Sequence, residues 1–234
     1  MKYRSAEKEL MDDFTLEGEP LRKNLNILAL INKWLGGNVI SLQGIEELLR
    51  GCPKGRHIVI ADLGCGNGDM LRRVAKLGDR MGFQFTLIGI DANLDTIKYA
   101  RKLSVDFENI SFIEMNIFSE EFSELSYDIV LSTLLLHHLS DEEILEILTL
   151  LIRNAGIGIV VNDLQRSQLS HFLFGIISLF INNRMVRNDG LVSIRRGFKK
   201  QELLGYAKAL NVNSSVEWKW AFRYRWIMKT NLWV

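Results

Sequence analysis

Apolar and polar positions follow two different periods along this chain. Residues 1–50 carry only the longer one. Leu21, Leu25, Leu28, Ile31 and Leu35 recur at steps of four, three, three and four, the stripe of one helix face. Gly36-Gly37 is expected to stop that helix. A second, short one over 45–49 ends at Gly51, and Pro53 breaks toward the first strand. From residue 58 the pattern changes to short apolar runs, each followed by a helical stretch. Runs at 58–62, 83–90, 110–115, 127–132 and 156–161 predict five strands. Helices are expected over 70–81, 94–103 and 140–154, the last opened by Ser140 with Glu143 three residues on, a capping box. Beyond the fifth strand, 165–183 reads as one helix that is apolar on more than one face. A turn-rich loop over 184–190, a helix over 199–210 and strands at 214–221 and 223–228 complete the chain. Strands alternating with helices define an α/β fold.

At 234 residues the chain suits a single α/β domain with a large core. Within it, residues 1–52 form an N-terminal helical cap and 165–198 a lid inserted after the fifth strand. A net charge of +1 gives no electrostatic case for nucleic acid. The two cysteines, Cys52 and Cys65, do not make a disulfide framework. The charged N-terminus lacks the apolar core of a signal peptide, and the most apolar run, 172–181, is too short to span a bilayer. A cytoplasmic protein is the expectation.

The chemistry gathers at the ends of the strands. The first closes on Asp62, followed by Gly64-Cys65-Gly66-Asn67-Gly68 and a helix start. Such a turn lets a ligand approach the backbone at a helix N-terminus. Dinucleotide sites require G-x-G-x-x-G/A, but here the sixth position is the acid Asp69, which would repel a pyrophosphate. The second strand runs into Asp91, whose carboxylate can accept from both hydroxyls of a ribose, while Asn93 is the better helix cap.

The acid and the alternate glycines resemble motif I of class I S-adenosylmethionine (SAM)-dependent methyltransferases. The resemblance covers about residues 55–165 through motifs, and the rest through element order. It implies a Rossmann-like, seven-stranded, mostly parallel sheet with one antiparallel strand and helices on both faces. It also implies SAM as cofactor, held by Asp62, Gly64, Cys65, Gly66, Asp91 and its neighbour Ala92. Asn116 stands where the family usually has an Asp that accepts from the adenine amine, and Ile117 would lie on the adenine face. A narrower likeness is to small-molecule methyltransferases with an L-H-H-L turn, N-D-L-x-R-S and S-x-x-R-x-F. Here these are 136–139 with its two histidines, 162–167 and 193–198. That set is associated with polyketide or quinone-like aromatics.

On the acceptor side, His137 and His138 fall in the turn after the fourth strand. One of them, His137 by preference, can take a proton from a hydroxyl. Equally, one can pack and the other cap a helix. Asp163 and Arg166 either orient the acceptor or lie on the surface. Phe172 and Phe174, on the apolar helix, are expected to line its pocket. The function that follows is in-line methylation of a hydroxyl on a small, apolar, aromatic acceptor, with no metal and no covalent intermediate. A SAM-binding scaffold and a nicotinamide-dependent reductase are the rivals, and a homodimer through the apolar helix stays open.

Overall fold

The computed structural model describes residues 1–13 and 15–230. At its centre is one seven-stranded sheet in the order β3-β2-β1-β4-β5-β7-β6. The strands are β1 (His57–Leu63), β2 (Gln84–Asp91), β3 (Ile110–Glu114), β4 (Tyr127–Thr133), β5 (Ala155–Leu164), β6 (Asn213–Lys219) and β7 (Arg223–Lys229). Strands β1 to β5 pair in parallel, and β7 runs antiparallel between β5 and β6. The helices are α1 (Gly18–Trp34), α2 (Gly37–Leu48), α3 (Asp69–Met81), α4 (Leu94–Leu103) and α5 (Glu120–Ser123). They continue with α6 (Asp141–Asn154), α7 (Gln168–Ser178), α8 (Arg184–Arg196) and α9 (Lys200–Ala209).

Alternation along each strand feeds two cores. Ile58 and Ile60 pack with α2 and α3 on one face, while Ala61 and Leu63 pack with α6 and α9 on the other. Both faces are covered, which is why the strands read as nearly continuous apolar runs. Asn162 and Asp163, expected just past the fifth strand, lie inside it, because β5 continues in register with β7 as far as Leu164.

Three local readings are corrected. The glycine pair stops α1 as expected, but the second helix, expected only over 45–49, already starts at the pair and runs Gly37–Leu48. Gly36 turns at φ 73°, and Gly37 opens α2. A Cβ on Gly37 would lie 1.9 Å from Asn32 Oδ1, so glycine serves a close approach there. The expected 165–183 helix is shorter at both ends. Gln165 and Arg166 bond to the backbone of Phe222 and Phe198, and Ser167 caps α7 by accepting from Ser170 N–H. The stretch 184–190, read as a loop, is the start of α8, capped by Asn183. Its Asn-Asp-Gly run looks like a turn, but tertiary contacts override it. Asp189 is buried, and Gly190 admits the Phe174 ring, which would lie 2.3 Å from a Cβ.

Candidate active site

The residues expected to hold the cofactor gather at the carboxyl edge of the sheet, over β1 and β2. Gly64, Gly66 and Gly68 take φ of 65, 52 and 75°, a left-handed region that favours glycine. A Cβ on Gly68 would also meet the Phe112 ring at 2.7 Å. Asp69 opens α3, its Oδ2 accepting from Asn38 Nδ2 and Arg73 Nε, both at 2.9 Å. Asp62 is only 2% exposed, and its carboxyl meets no hydrogen-bond donor among the described residues. Burial, with the charge of Asp91 behind it, pushes this acid up to about 8.

Asp91 accepts from Gly66 N–H at 3.1 Å on Oδ2 and from Asn93 N–H at 3.0 Å on Oδ1. Each oxygen keeps a further lone pair, the two acceptors that a ribose diol needs. Cys65 is buried, and burial raises its thiol. Ala92 and Ile117 are half-buried, and Asn116 is exposed with Oδ1 accepting from Phe118 N–H at 3.0 Å. Helix α1 covers the turn, Asn26 accepting from Asn67 Nδ2 at 3.3 Å.

The residues expected on the acceptor side begin at the end of β4. Leu134 has φ 56°, a strained value for a branched side chain, and a 3₁₀ turn, Leu136–His138, follows. His137 is 2% exposed. Its Nδ1 lies 2.7 Å from Asp163 Oδ1, and its backbone N–H donates to Asp163 Oδ2 at 3.2 Å. Its Nε2 faces Glu9 Oε1 at 3.4 Å, an oxygen that also lies 3.9 Å from His138 Nδ1. Burial alone would lower this imidazole, but the two carboxylates outweigh it and push it up to about 9. The two carboxylates thus favour the imidazolium, the form in which His137 has no lone pair for the expected base role.

His138 is half-buried, with Nδ1 2.6 Å from Asp12 Oδ1. Burial works against the Asp12 carboxylate, yet His138, with Arg196 assisting, holds it well below its usual range. No described residue bonds His138 Nε2. Glu9, His137 and His138 offer ligand atoms within 4.8 Å of one another, a spacing that suits a divalent metal. A metal would first have to displace the proton on His137.

The turn is held from outside by residues that periodicity does not reveal. Arg196 donates from Nε to His137 O at 2.9 Å, from Nη2 to His138 O, and from Nη1 to Asp12 Oδ2 at 2.8 Å. Arg4 donates to Leu139 O at 2.7 Å and pairs with Asp141 at 2.6 Å. Asp189 accepts from Leu10 and Met11 N–H at 2.9 and 3.0 Å. The segment 2–12 is thus laced across the turn. Only the S-x-x-R-x-F pattern, which contains Arg196, hinted at this.

Arg166 is not a surface residue, and its guanidinium is engaged within the protein. It is wholly buried, pairing with Glu202 at 2.6 Å and donating to Gly197 O and Lys2 O. Asp163 is likewise spent on His137. Phe174 packs toward Gly190, whereas Phe172 is 65% exposed. A second polar run crosses the β4–β5–β7 edge. Asn162 Nδ2 donates to Gly37 O at 2.8 Å and Ser41 Oγ at 3.0 Å, Ser41 Oγ lies 3.0 Å from Thr133 Oγ1, and Arg223 reaches Asn162 Oδ1 at 3.4 Å.

This sheet order, with a glycine turn after β1 and an acid closing β2, defines a class I methyltransferase fold. A model of the methyltransferase domain matches residues 54–177, more than half of the sequence. The chain belongs to that family of SAM-dependent methyltransferases. No curated protein matches the chain significantly. Among solved structures, the plantazolicin methyltransferase BpumL in complex with SAH aligns with a TM-score of 0.68 at 17% identity, over 91% of each chain. An O-methyltransferase family protein from Burkholderia thailandensis gives 0.67 at 15% identity, over 94% of this chain and 62% of that one. Magnesium protoporphyrin IX methyltransferase from Synechocystis PCC 6803 gives 0.54 at 15%, over 94% and 91%. At such identities the likeness is one of fold.

Proposed function

We propose that this methyltransferase acts on the hydroxyl oxygen of a small, apolar, aromatic acceptor. The observation that carries the cofactor half is the pair of acids, Asp62 and Asp91, at adjacent strand ends beside the glycine turn. Asp62, buried and without a donor, fits the ammonium of SAM, and the free lone pairs of Asp91 fit its ribose hydroxyls. Ala92, Asn116 and Ile117 then lie along the adenine. When bound, SAM supplies an electrophilic methyl on a sulfonium. Cys65 and Leu25 keep the neighbourhood of the glycine turn dry.

The base in this reading is His138. Asp12 fixes its Nδ1 side, which leaves Nε2 to accept the acceptor's proton, while the protonated His137 supports the turn from below. Helix α7, the lid element, supplies the apolar wall through Phe172. Positioning does most of the work, since displacement at a methyl needs no covalent enzyme intermediate.

A SAM-binding scaffold is the second reading, favoured by the protonated state of His137. The test is calorimetric titration with SAM, SAH and the nicotinamide cofactors, followed by methyl transfer to a panel of phenols. SAM and SAH are expected to bind, NAD(H) is not, and Asp91→Ala should weaken SAH by about 1–3 kcal/mol while folding normally. Tight SAH binding with no turnover on any hydroxyl acceptor would favour the scaffold, and unchanged affinity in Asp91→Ala would remove the ribose assignment.

A further inference from the structure

We propose that Arg223 anchors a carboxylate on the acceptor, so that the substrate is an aromatic acid and not a neutral phenol. This rests on the methyltransferase reading above and names the substrate class of the same site.

Four arginines are more than nine-tenths buried: Arg166, Arg196, Arg223 and Arg225. Three have carboxylate partners. Arg166 pairs with Glu202 at 2.6 Å, Arg196 with Asp12 at 2.8 Å, and Arg225 with Glu47 and Glu217, both at 2.9 Å. Arg223, 3% exposed, forms no ion pair among the described residues. Its single hydrogen bond, to Asn162 Oδ1, is long at 3.4 Å, and its Nε has no acceptor. The acid that acts on it through space, Asp163, is already bonded to His137. A buried guanidinium without a direct ion pair is costly to keep, and a well-packed apolar side chain would serve the fold better.

Position supplies the reason for keeping it. Arg223 opens β7 opposite Leu164, at the same edge of the sheet as the glycine turn. It ends the polar run that begins at Thr133, the last residue of β4, and passes through Ser41 and Asn162. Acids therefore line the β1–β2 end of the edge, and at the β5–β7 end stands a cation with no ion pair among the described residues. The first suits a cationic cofactor, and the second suits an anionic acceptor. A planar fork of N–H donors matches the two oxygens of a carboxylate, which a lysine would not do. Glycine at position 37 leaves room for it, since a Cβ there would come within 2.9 Å of Arg223 Cζ.

The test uses SAH-saturated protein, wild type and Arg223→Met, in thermal unfolding with 2- and 4-hydroxybenzoate and the matching neutral hydroxybenzamides. A carboxylate at ten times its dissociation constant should raise the wild-type Tm by about 3–6 °C. The amides should not, and Arg223→Met should lose the effect. Without ligand, Arg223→Met should unfold at or above the wild-type temperature, because a stranded charge has been removed. Equal responses to acid and amide, no response to either, or a ligand-free Arg223→Met that melts several degrees lower would each overturn the proposal. SAH affinity, measured separately, should be unchanged in Arg223→Met. Failure of the wild type to bind SAH would count against the cofactor reading and not against Arg223.

Discussion

A carboxyl group with no donor around it is the sharpest feature at the scale of the residue. Burial keeps Asp62 protonated up to about pH 8, against 3.8 for a free side chain. Between those values the folded chain holds a proton that the unfolded chain has released, so this group withdraws stability as pH rises from 3.8 to about 8. A cation placed against it reverses the balance and drives the proton off. SAH binding at pH 7 should therefore release up to about one proton. Titration in phosphate and in Tris should give enthalpies that differ by the heat of buffer ionisation, and the difference should vanish in Asp62→Asn. Equal enthalpies in the wild type would move the ammonium elsewhere. The place of Asp62 at the end of β1 could be read from the motif, but its isolation could not, because the lack of a donor among the described residues is a property of packing.

Among the elements, the 3₁₀ turn after β4 shows where sequence reasoning stops. The strands, α3, α4 and the capping box of α6 are all local patterns, and each lies within a few residues of its expected place. Both histidines stood out for their position. Their partners Glu9, Asp12, Asp163 and Arg196 are 125 or more, 26 or 58 residues distant, and no period links them. Arg166 shows the reverse error, since an arginine beyond a strand end reads as accessible until Glu202 and Gly197 are seen to enclose it. The turn carries its own pH signature. The folded His137 titrates near 9 against 6.5 unfolded, so its contribution is complete below 6.5 and is lost as pH rises through about 9. That amounts to about 3 kcal/mol. Thermal scans from pH 6 to 10 should show the wild type losing Tm across this window relative to His137→Gln. Parallel curves would mean that the imidazole is not held as a cation.

For the molecule as a whole, two surfaces remain to be accounted for. Helix α7 and the residues after it expose Leu169, Phe172, Ile176, Leu179 and Phe180, the last 86% open. A patch of that kind marks an interaction. If it closes over the acceptor, Phe172→Ala should raise the acceptor KM several-fold while leaving that of SAM nearly unchanged. Equal changes would assign the patch to a second copy of the chain, which sedimentation would then show as a dimer. No single helix among the described residues is long and apolar enough to cross a membrane. The other surface is the lacing of residues 2–12 against 189–198. It joins nearly opposite ends of the described chain, and contacts of that span form late and slowly. On the ribosome, at 5–20 residues per second, residues 2–12 emerge about 10–40 s before their docking partners exist. Throughout that interval the nascent chain can build β1 to β4 and the glycine turn, yet the segment carrying Glu9 and Asp12 lacks Asp189 and Arg196, which hold it against the two histidines. Assembly of the cofactor half thus precedes that of the chemical half, and a ribosome-bound chain arrested before residue 189 should hold SAH without being able to use SAM.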